Sequence, residues 1–229
     1  DFYLKKERWN EAIEVYEEME TIGALQGRGA EYYQKLGYAL QKNKKYAEAI
    51  DAYLKADTLK PDNIWNNRHL AICYRLNRNY QAALSYYKKV EEATPEDTNV
   101  IFHIGSCLAE LGQYEEAANY FFKLDFIESN CIKAWRGIGW CSFISRKYEQ
   151  AMKYYEKIIE QKPLAIDYMN AGHVAWTMGD IQKAAALYGK SITANGNRER
   201  FLEMFRKDKE ALLKQGIQEE DIPLMLDLL

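Results

Sequence analysis

The chain has 229 residues, 31 Lys and Arg against 34 Asp and Glu, and a formal net charge of −3. Thirteen glycines and four prolines are too few for a turn-dense β-sandwich or barrel. The near-neutral charge argues against a dedicated nucleic-acid binder, four cysteines make no disulfide framework, and no apolar run approaches the roughly 18 residues of a membrane span.

The opening Asp1-Phe2-Tyr3-Leu4-Lys5 lacks an initiator Met and a signal-type apolar core, and reads as the tail of a helix begun upstream. The compartment therefore stays open, with the cytoplasm slightly favoured and export still allowed. A repeat follows. The segments Trp9-Asn10-Glu11-Ala12, Tyr46-Ala47-Glu48-Ala49, Tyr80-Gln81-Ala82-Ala83, Tyr114-Glu115-Glu116-Ala117, Tyr148-Glu149-Gln150-Ala151 and Ile181-Gln182-Lys183-Ala184 share one pattern. Their last alanines are spaced 37, 34, 34, 34 and 33 residues apart. Four residues after each stands an aromatic: Tyr16, Tyr53, Tyr87, Phe121, Tyr155 and Tyr188. Pro61, Pro95 and Pro163 each fall twelve residues after such an alanine.

Each unit reads as a pair of helices. In the first helix apolar residues recur at helical spacing, as in Tyr33, Leu36 and Leu40, or Ile101, Ile104 and Leu108, or Trp135 and Ile138. A glycine inside a helix costs about 1 kcal/mol relative to Ala, so Gly37, Gly105, Gly139 and Gly172 point to a close crossing by the second helix. The prolines punctuate the passage to the next unit. Trp9 and Trp135 are expected in the core.

Residues 198–229 leave the pattern. Phe201, Met204, Phe205, Leu212 and Leu213 make an amphipathic helix, Gly216-Ile217 a left-handed stop, and Leu224 to Leu228 a short last helix with Pro223 in its first turn. The expected organisation is a repeat domain over 1–197 and a helical cap over 198–229 packed on the last repeat, with a partner-docking helix as the alternative. About thirteen helices and no strand are expected.

No catalytic constellation or cofactor motif emerges, and no enzyme is expected. His69 and His103 lie 34 apart but lack carboxylate or thiolate neighbours at ligand spacing, so no metal site is expected. Cys73, Cys107 and Cys141 recur at the same period, as small buried helix residues do. Cys131, at a repeat junction, is expected to be more exposed.

These residues resemble the tetratricopeptide repeat (TPR) family, whose pattern is Trp-x-x-Leu-Gly-x-x-Tyr, then Ala-x-x-x-Phe, then Pro over 34 residues. The best local match runs from Tyr33 through Leu36-Gly37 to Ala49, Tyr53 and Pro61, and the resemblance covers about residues 1–195. It departs locally: Ala71 replaces the glycine and Asn67 the large first residue in the third unit, and Ser129 replaces a proline. The resemblance implies an all-α, right-handed superhelical solenoid of antiparallel helix pairs whose first helices line a concave groove for peptides or helices of other proteins. Exposed groove slots would hold Tyr38, Trp65, Arg68, Arg75, Phe102, Lys133, Arg136, Trp140, Phe143 and Trp176, with His103 and His173 in the same lining. Five cations there (Lys42, Arg68, Arg75, Lys133, Arg136) face two carboxylates (Glu31, Glu110), on a chain that is acidic overall.

An aromatic, basic lining suits a protein segment with apolar anchors and carboxylates, centred on Trp140 and Arg136. The competing expectations are rings that merely pack between first helices, and a self-association module whose groove is filled by its own upstream chain. A clamp for chaperone C-terminal carboxylates is missing, since Ile72, His103 and Gly137 stand in its slots beside Arg68 and Lys133. No nucleic acid and no membrane span are expected. The oligomeric state is left open.

Overall fold

A computed structural model describes residues 2–21 and 29–229; Asp1, read above as the start of a helix tail, lies outside them. Fourteen helices and no strand occur among the described residues. They form two compact units, one ending at Leu111 and the other beginning at Gly112. The first holds α1 (Phe2–Lys5), α2 (Trp9–Thr21), α3 (Gly29–Lys42), α4 (Tyr46–Leu59), α5 (Ile64–Leu76), α6 (Tyr80–Ala93) and α7 (Thr98–Glu110). The second holds α8 (Tyr114–Ile127), α9 (Ile132–Ile144), α10 (Tyr148–Ile159), α11 (Ala165–Thr177), α12 (Ile181–Asn195), α13 (Arg198–Lys214) and α14 (Asp221–Asp227). The count is one above the expected thirteen, and the four-residue α1 stands where the sequence reads as a helix tail.

The repeat alanines are buried, Ala49, Ala83, Ala117, Ala151 and Ala184 completely. The aromatic one turn later closes the α3/α4, α9/α10 and α11/α12 pairs. A Cβ built on Gly37 would stand 2.8 Å from the Tyr53 ring, one on Gly139 3.0 Å from Tyr155, and one on Gly172 2.5 Å from Tyr188. The close approach is thus ring on helix: a flat tyrosine from the second helix lies where a side chain on the first would be. Gly137 plays the same part toward the preceding helix, with the Phe121 ring 2.5 Å from its Cβ position.

Turns within the pairs repeat as strictly as the helices. Glu7, Lys44, Arg78, Gly112, Arg146 and Gly179 all have positive φ, between 55° and 83°. In most of them the next amide reaches back to the fifth residue before it, as in Lys45 N–H to Leu40 C=O (2.9 Å), Asn79 to Tyr74 (2.9 Å), Lys147 to Ser142 (2.8 Å) and Asp180 to Ala175 (3.0 Å). That left-handed stop satisfies the last carbonyls of the first helix. Four of the six positions are charged residues rather than glycine, so the motif is hard to see in sequence. Asn79 and Asp180 then accept from the third amide of the following helix, at 3.2 and 3.0 Å.

The C-terminal segment packs on the helices before it. Phe201, Phe205 and Leu212 are buried, and Gly216 takes φ 100° with Ile217 N–H bonded to Leu212 C=O at 3.2 Å. Helix α13 starts beside α12, from which only Gly196 and Asn197 separate it. Its far end meets the α9–α10 turn: Arg146 donates to Lys214 C=O (2.9 Å), Tyr148 to Gln215 Oε1 (2.9 Å), and Gln215 Nε2 to Ile144 C=O (3.3 Å). It therefore crosses the face of α11 that carries His173 and Trp176.

Candidate functional site

In the first unit, the face of α3 and α5 carries an interlocked ring cluster. Trp65 lies 4.0 Å from the His69 ring, 6.3 Å from Tyr38 and 6.0 Å from Tyr53, and Tyr53 stacks on His69 at 5.6 Å. Gln41 Oε1 accepts from the Tyr53 hydroxyl at 3.0 Å and lies 2.7 Å from His69 Nδ1. Burial, with Lys42 and Arg68 adding like-charge repulsion, pushes His69 down to about 4, which keeps it neutral at physiological pH. Trp9 abuts Tyr38 edge-on at 6.0 Å and is half-buried rather than core. Lys42 Nζ sits 5.2 Å over the Tyr38 ring and is exposed. Trp65 remains 43% exposed despite these contacts. The result is an indole whose underside is fixed and whose outer face is open.

Arg68 belongs to the same face but is engaged. Its guanidinium pairs with Asp97 at 2.8 Å, and Asp97 also accepts from the Asn99 and Val100 amides at the start of α7. Burial opposes ionisation of Asp97, but the Val100 amide and Arg68 outweigh it and hold the carboxyl below its usual range. Arg75 is half-buried and faces Tyr87. Phe102 and His103 are half-buried on α7, with His103 stacked on Tyr87 at 5.4 Å.

In the second unit the expected centre is changed. Arg136 makes a two-pronged pair with Asp167, both bonds at 2.7 Å, and Asp167 is 1% exposed and also accepts from Leu164 N–H. Arg136 is therefore a tie between first helices and not a cation waiting for a partner's carboxylate. Arg68 stands 68 residues earlier at the equivalent slot and ties α5 to α7 in the same way. Lys133 pairs with Glu128 at 3.2 Å. Trp135 is buried, its indole N–H donating to Asp125 at 2.7 Å.

Three further slots are closed. Phe143 is 1% exposed, His173 0% and Trp176 5%. Phe205 of α13 lies 5.4 Å from His173 and stacks on Trp176 at 6.4 Å, while Phe143 stacks on His173. These residues cannot line an open surface, because α13 lies across His173 and Trp176 and Phe143 packs against His173; the slots that the resemblance implied take no account of that helix. Trp140 remains half-buried, 5.7 Å from Phe143. The structure thus brings together Tyr38, Trp65 and Arg68 in one unit and Arg136, Trp140, Phe143, His173 and Trp176 in the other. Sequence reasoning missed Gln41, Tyr53, Asp97, Asp167 and Phe205. Two of these left a trace: Asp97 and Asp167 follow the equivalent arginines by 29 and 31 residues.

The cysteines are all buried, Cys131 included, contrary to its expected exposure. Burial pushes Cys73 and Cys141 up to about 12 and Cys107 to about 11. Among the described residues no group of three or more His, Cys, Asp or Glu is placed to hold a metal ion, and no helix is long and apolar enough to cross a membrane.

Helix pairs recurring every 34 residues, three of them closed by a tyrosine lying on a glycine, define a helical-repeat protein. Tetratricopeptide repeat models match residues 75–141 and residues 30–63, 132–163 and 168–198, and the chain belongs to this family. The family is typically a non-catalytic interaction fold whose members bind protein partners. No curated protein matches the chain in sequence. Among solved structures it is similar to YrrB, a TPR protein with an unusual peptide-binding site (20% identity, TM-score 0.66, covering 81% of this chain and 97% of that one). A tetratricopeptide repeat protein from Parabacteroides merdae matches at 19% identity and TM-score 0.67, over 99% of this chain and 94% of its own. MamA from Desulfovibrio magneticus RS-1 matches at 16% identity and TM-score 0.69, over 74% and 96%. At these identities the likeness speaks for the fold.

Proposed function

We propose that the chain is a scaffold that recruits a partner protein segment to the first-helix face of its first unit, around Trp65, Tyr38 and Lys42. The observation that carries this reading is the exposed Trp65 indole, held from beneath by His69, Tyr38 and Tyr53. A rigid aromatic with one open face binds an apolar side chain at little entropic cost, and such residues dominate interface energetics. Lys42, exposed beside it, favours a carboxylate on the same segment. An acidic chain suits a protein ligand better than a nucleic acid. The peptide-binding site of YrrB, on a similar fold, supports recognition of a peptide segment.

The test is selection of binders from a displayed random-peptide library against the parent, then titration of the enriched peptide. Trp65→Ala is expected to weaken binding at least tenfold, about 1.4 kcal/mol. Lys42→Glu is expected to slow association, most at low salt. Affinities within twofold of the parent for both folded variants would remove this face from the function. Arg136→Glu is a poor probe, because it would break an internal pair.

A further inference from the structure

We propose that α13 is a built-in, displaceable occupant of the α9–α11 face, and that this face accepts a partner amphipathic helix bearing the same residue pattern. The proposal extends the reading above to the second unit, and its test is read on the second unit alone, so either can fail without the other.

The seat is made for a helix. Phe201 and Phe205, one turn apart, enter a ring nest of Tyr188, His173 and Trp176, with centroid distances of 5.4–6.4 Å. Asp208 and Leu212 continue the same stripe, and Leu212 is buried. Such a nest beneath one amphipathic helix is the arrangement of helix-in-groove recognition. Here the ligand is in cis.

Three features make the occupant releasable. Its link to α12 is two residues, Gly196 and Asn197; Gly196 takes φ 68° with open space around it, which suits a hinge. Its far end is held by three hydrogen bonds between the α9–α10 turn and the end of α13, one of them exposed and two part-buried. The seat itself is incompletely satisfied. His173 is fully buried, with Nδ1 2.8 Å from the Tyr188 hydroxyl, but its Nε2 has no hydrogen-bond partner and stands 3.5 Å from Asp208 Oδ2. A buried polar atom left short of its partner weakens the contact that buries it. A partner helix with a glutamate in place of Asp208 carries its carboxylate one methylene further toward Nε2, which is the contact α13 leaves long. The ligand this defines is a helix with aromatics at i and i+4, a carboxylate at i+7 and a leucine at i+11. Such a helix gains over α13 only if its contacts outweigh the high local concentration of the tethered segment.

The experiment uses the full chain. Hydrogen exchange on the parent is expected to show α13 amides exchanging at least tenfold faster than those of α11, by local opening. Equal protection would make α13 a permanent part of the fold and overturn the proposal. A fluorescein-labelled peptide of residues 198–217 is then titrated into the parent and into Phe205→Ala. The variant is expected to bind at least tenfold tighter, its own helix having lost its main anchor. Affinity within twofold of the parent overturns the proposal. Should Phe205→Ala fail to fold, Asp208→Glu reads the opposite direction. It is expected to slow α13 exchange and to weaken peptide binding, and no change in either overturns the proposal.

Discussion

Two equivalent glycines offer a sharp test of how the helix pairs close. Replacing either Gly139 or Gly172 by alanine gains about 1 kcal/mol of helix propensity. The steric charge against that gain differs. At Gly139 the new Cβ meets the Tyr155 ring at 3.0–3.3 Å, which a shift of a few tenths of an ångström relieves. At Gly172 it meets Tyr188 at 2.5 and 2.6 Å, and Tyr188 cannot give way. Its hydroxyl is 2.8 Å from His173 Nδ1, and its ring is wedged against Phe201 and Phe205 at 5.6 and 5.7 Å. Overpacking of this kind costs about 1–3 kcal/mol. Gly139→Ala is therefore expected to be within about 0.5 kcal/mol of the parent. Because the ring cannot move, the cost at Gly172 falls in the upper part of that range, about 2–3 kcal/mol, so Gly172→Ala should be destabilised by about 1–2 kcal/mol net, which for a chain of this size lowers the melting temperature by roughly 2–8 °C. Thermal melts followed by circular dichroism at the helix band decide it. A Gly172→Ala protein melting at or above the parent, or below which Gly139→Ala falls, would refute the ring-on-helix account.

Removing Asp167 by alanine should cost about 2–3 kcal/mol in denaturant unfolding, since it strips a nearly buried carboxylate from Arg136 and the Leu164 amide; one-third exposure of Arg136 keeps the figure below that of a fully buried pair. Lys44→Gly, at a left-handed turn, should stabilise by roughly 0.5–1 kcal/mol, and Gly179→Ala at the equivalent turn should destabilise by about 1 kcal/mol, both read from the same unfolding curves. His69, held down at about 4, binds its proton more readily in the unfolded chain, so its contribution to stability is complete above about 6.5 and is lost as the pH falls toward 4. His69→Gln should flatten stability over that window, and a nuclear magnetic resonance titration of the His69 ring should show a midpoint near 4 rather than 6.5.

The helix pairs were legible because their determinants are local and periodic. An alanine, an aromatic one turn on and a proline at a fixed offset say which faces meet without any knowledge of the neighbour. The turns were legible only where the residue is Gly112 or Gly179. Lys44, Arg78 and Arg146 adopt the same left-handed backbone, and their side chains give no sign of it. The candidate site was read less well. Trp65, Tyr38 and Lys42 share one face, but the fate of Arg136 depends on Asp167, a residue one repeat further along the chain. Phe143, His173 and Trp176 are buried by a helix whose own pattern tells which of its faces is apolar and not what that face rests on.

One consequence of the cap's position is optical. The Trp176 indole lies in the seam between α11 and α13, stacked on Phe205, whereas Trp65 is open to solvent and Trp135 is fixed by Asp125 under the Lys157 ammonium. Any opening of that seam transfers one indole from an aromatic enclosure into water. The chain thus carries its own fluorophore at the moving part. A protein keeping Trp176 with phenylalanine at the other four tryptophans would report the state of its last helices by emission wavelength alone, with no label attached.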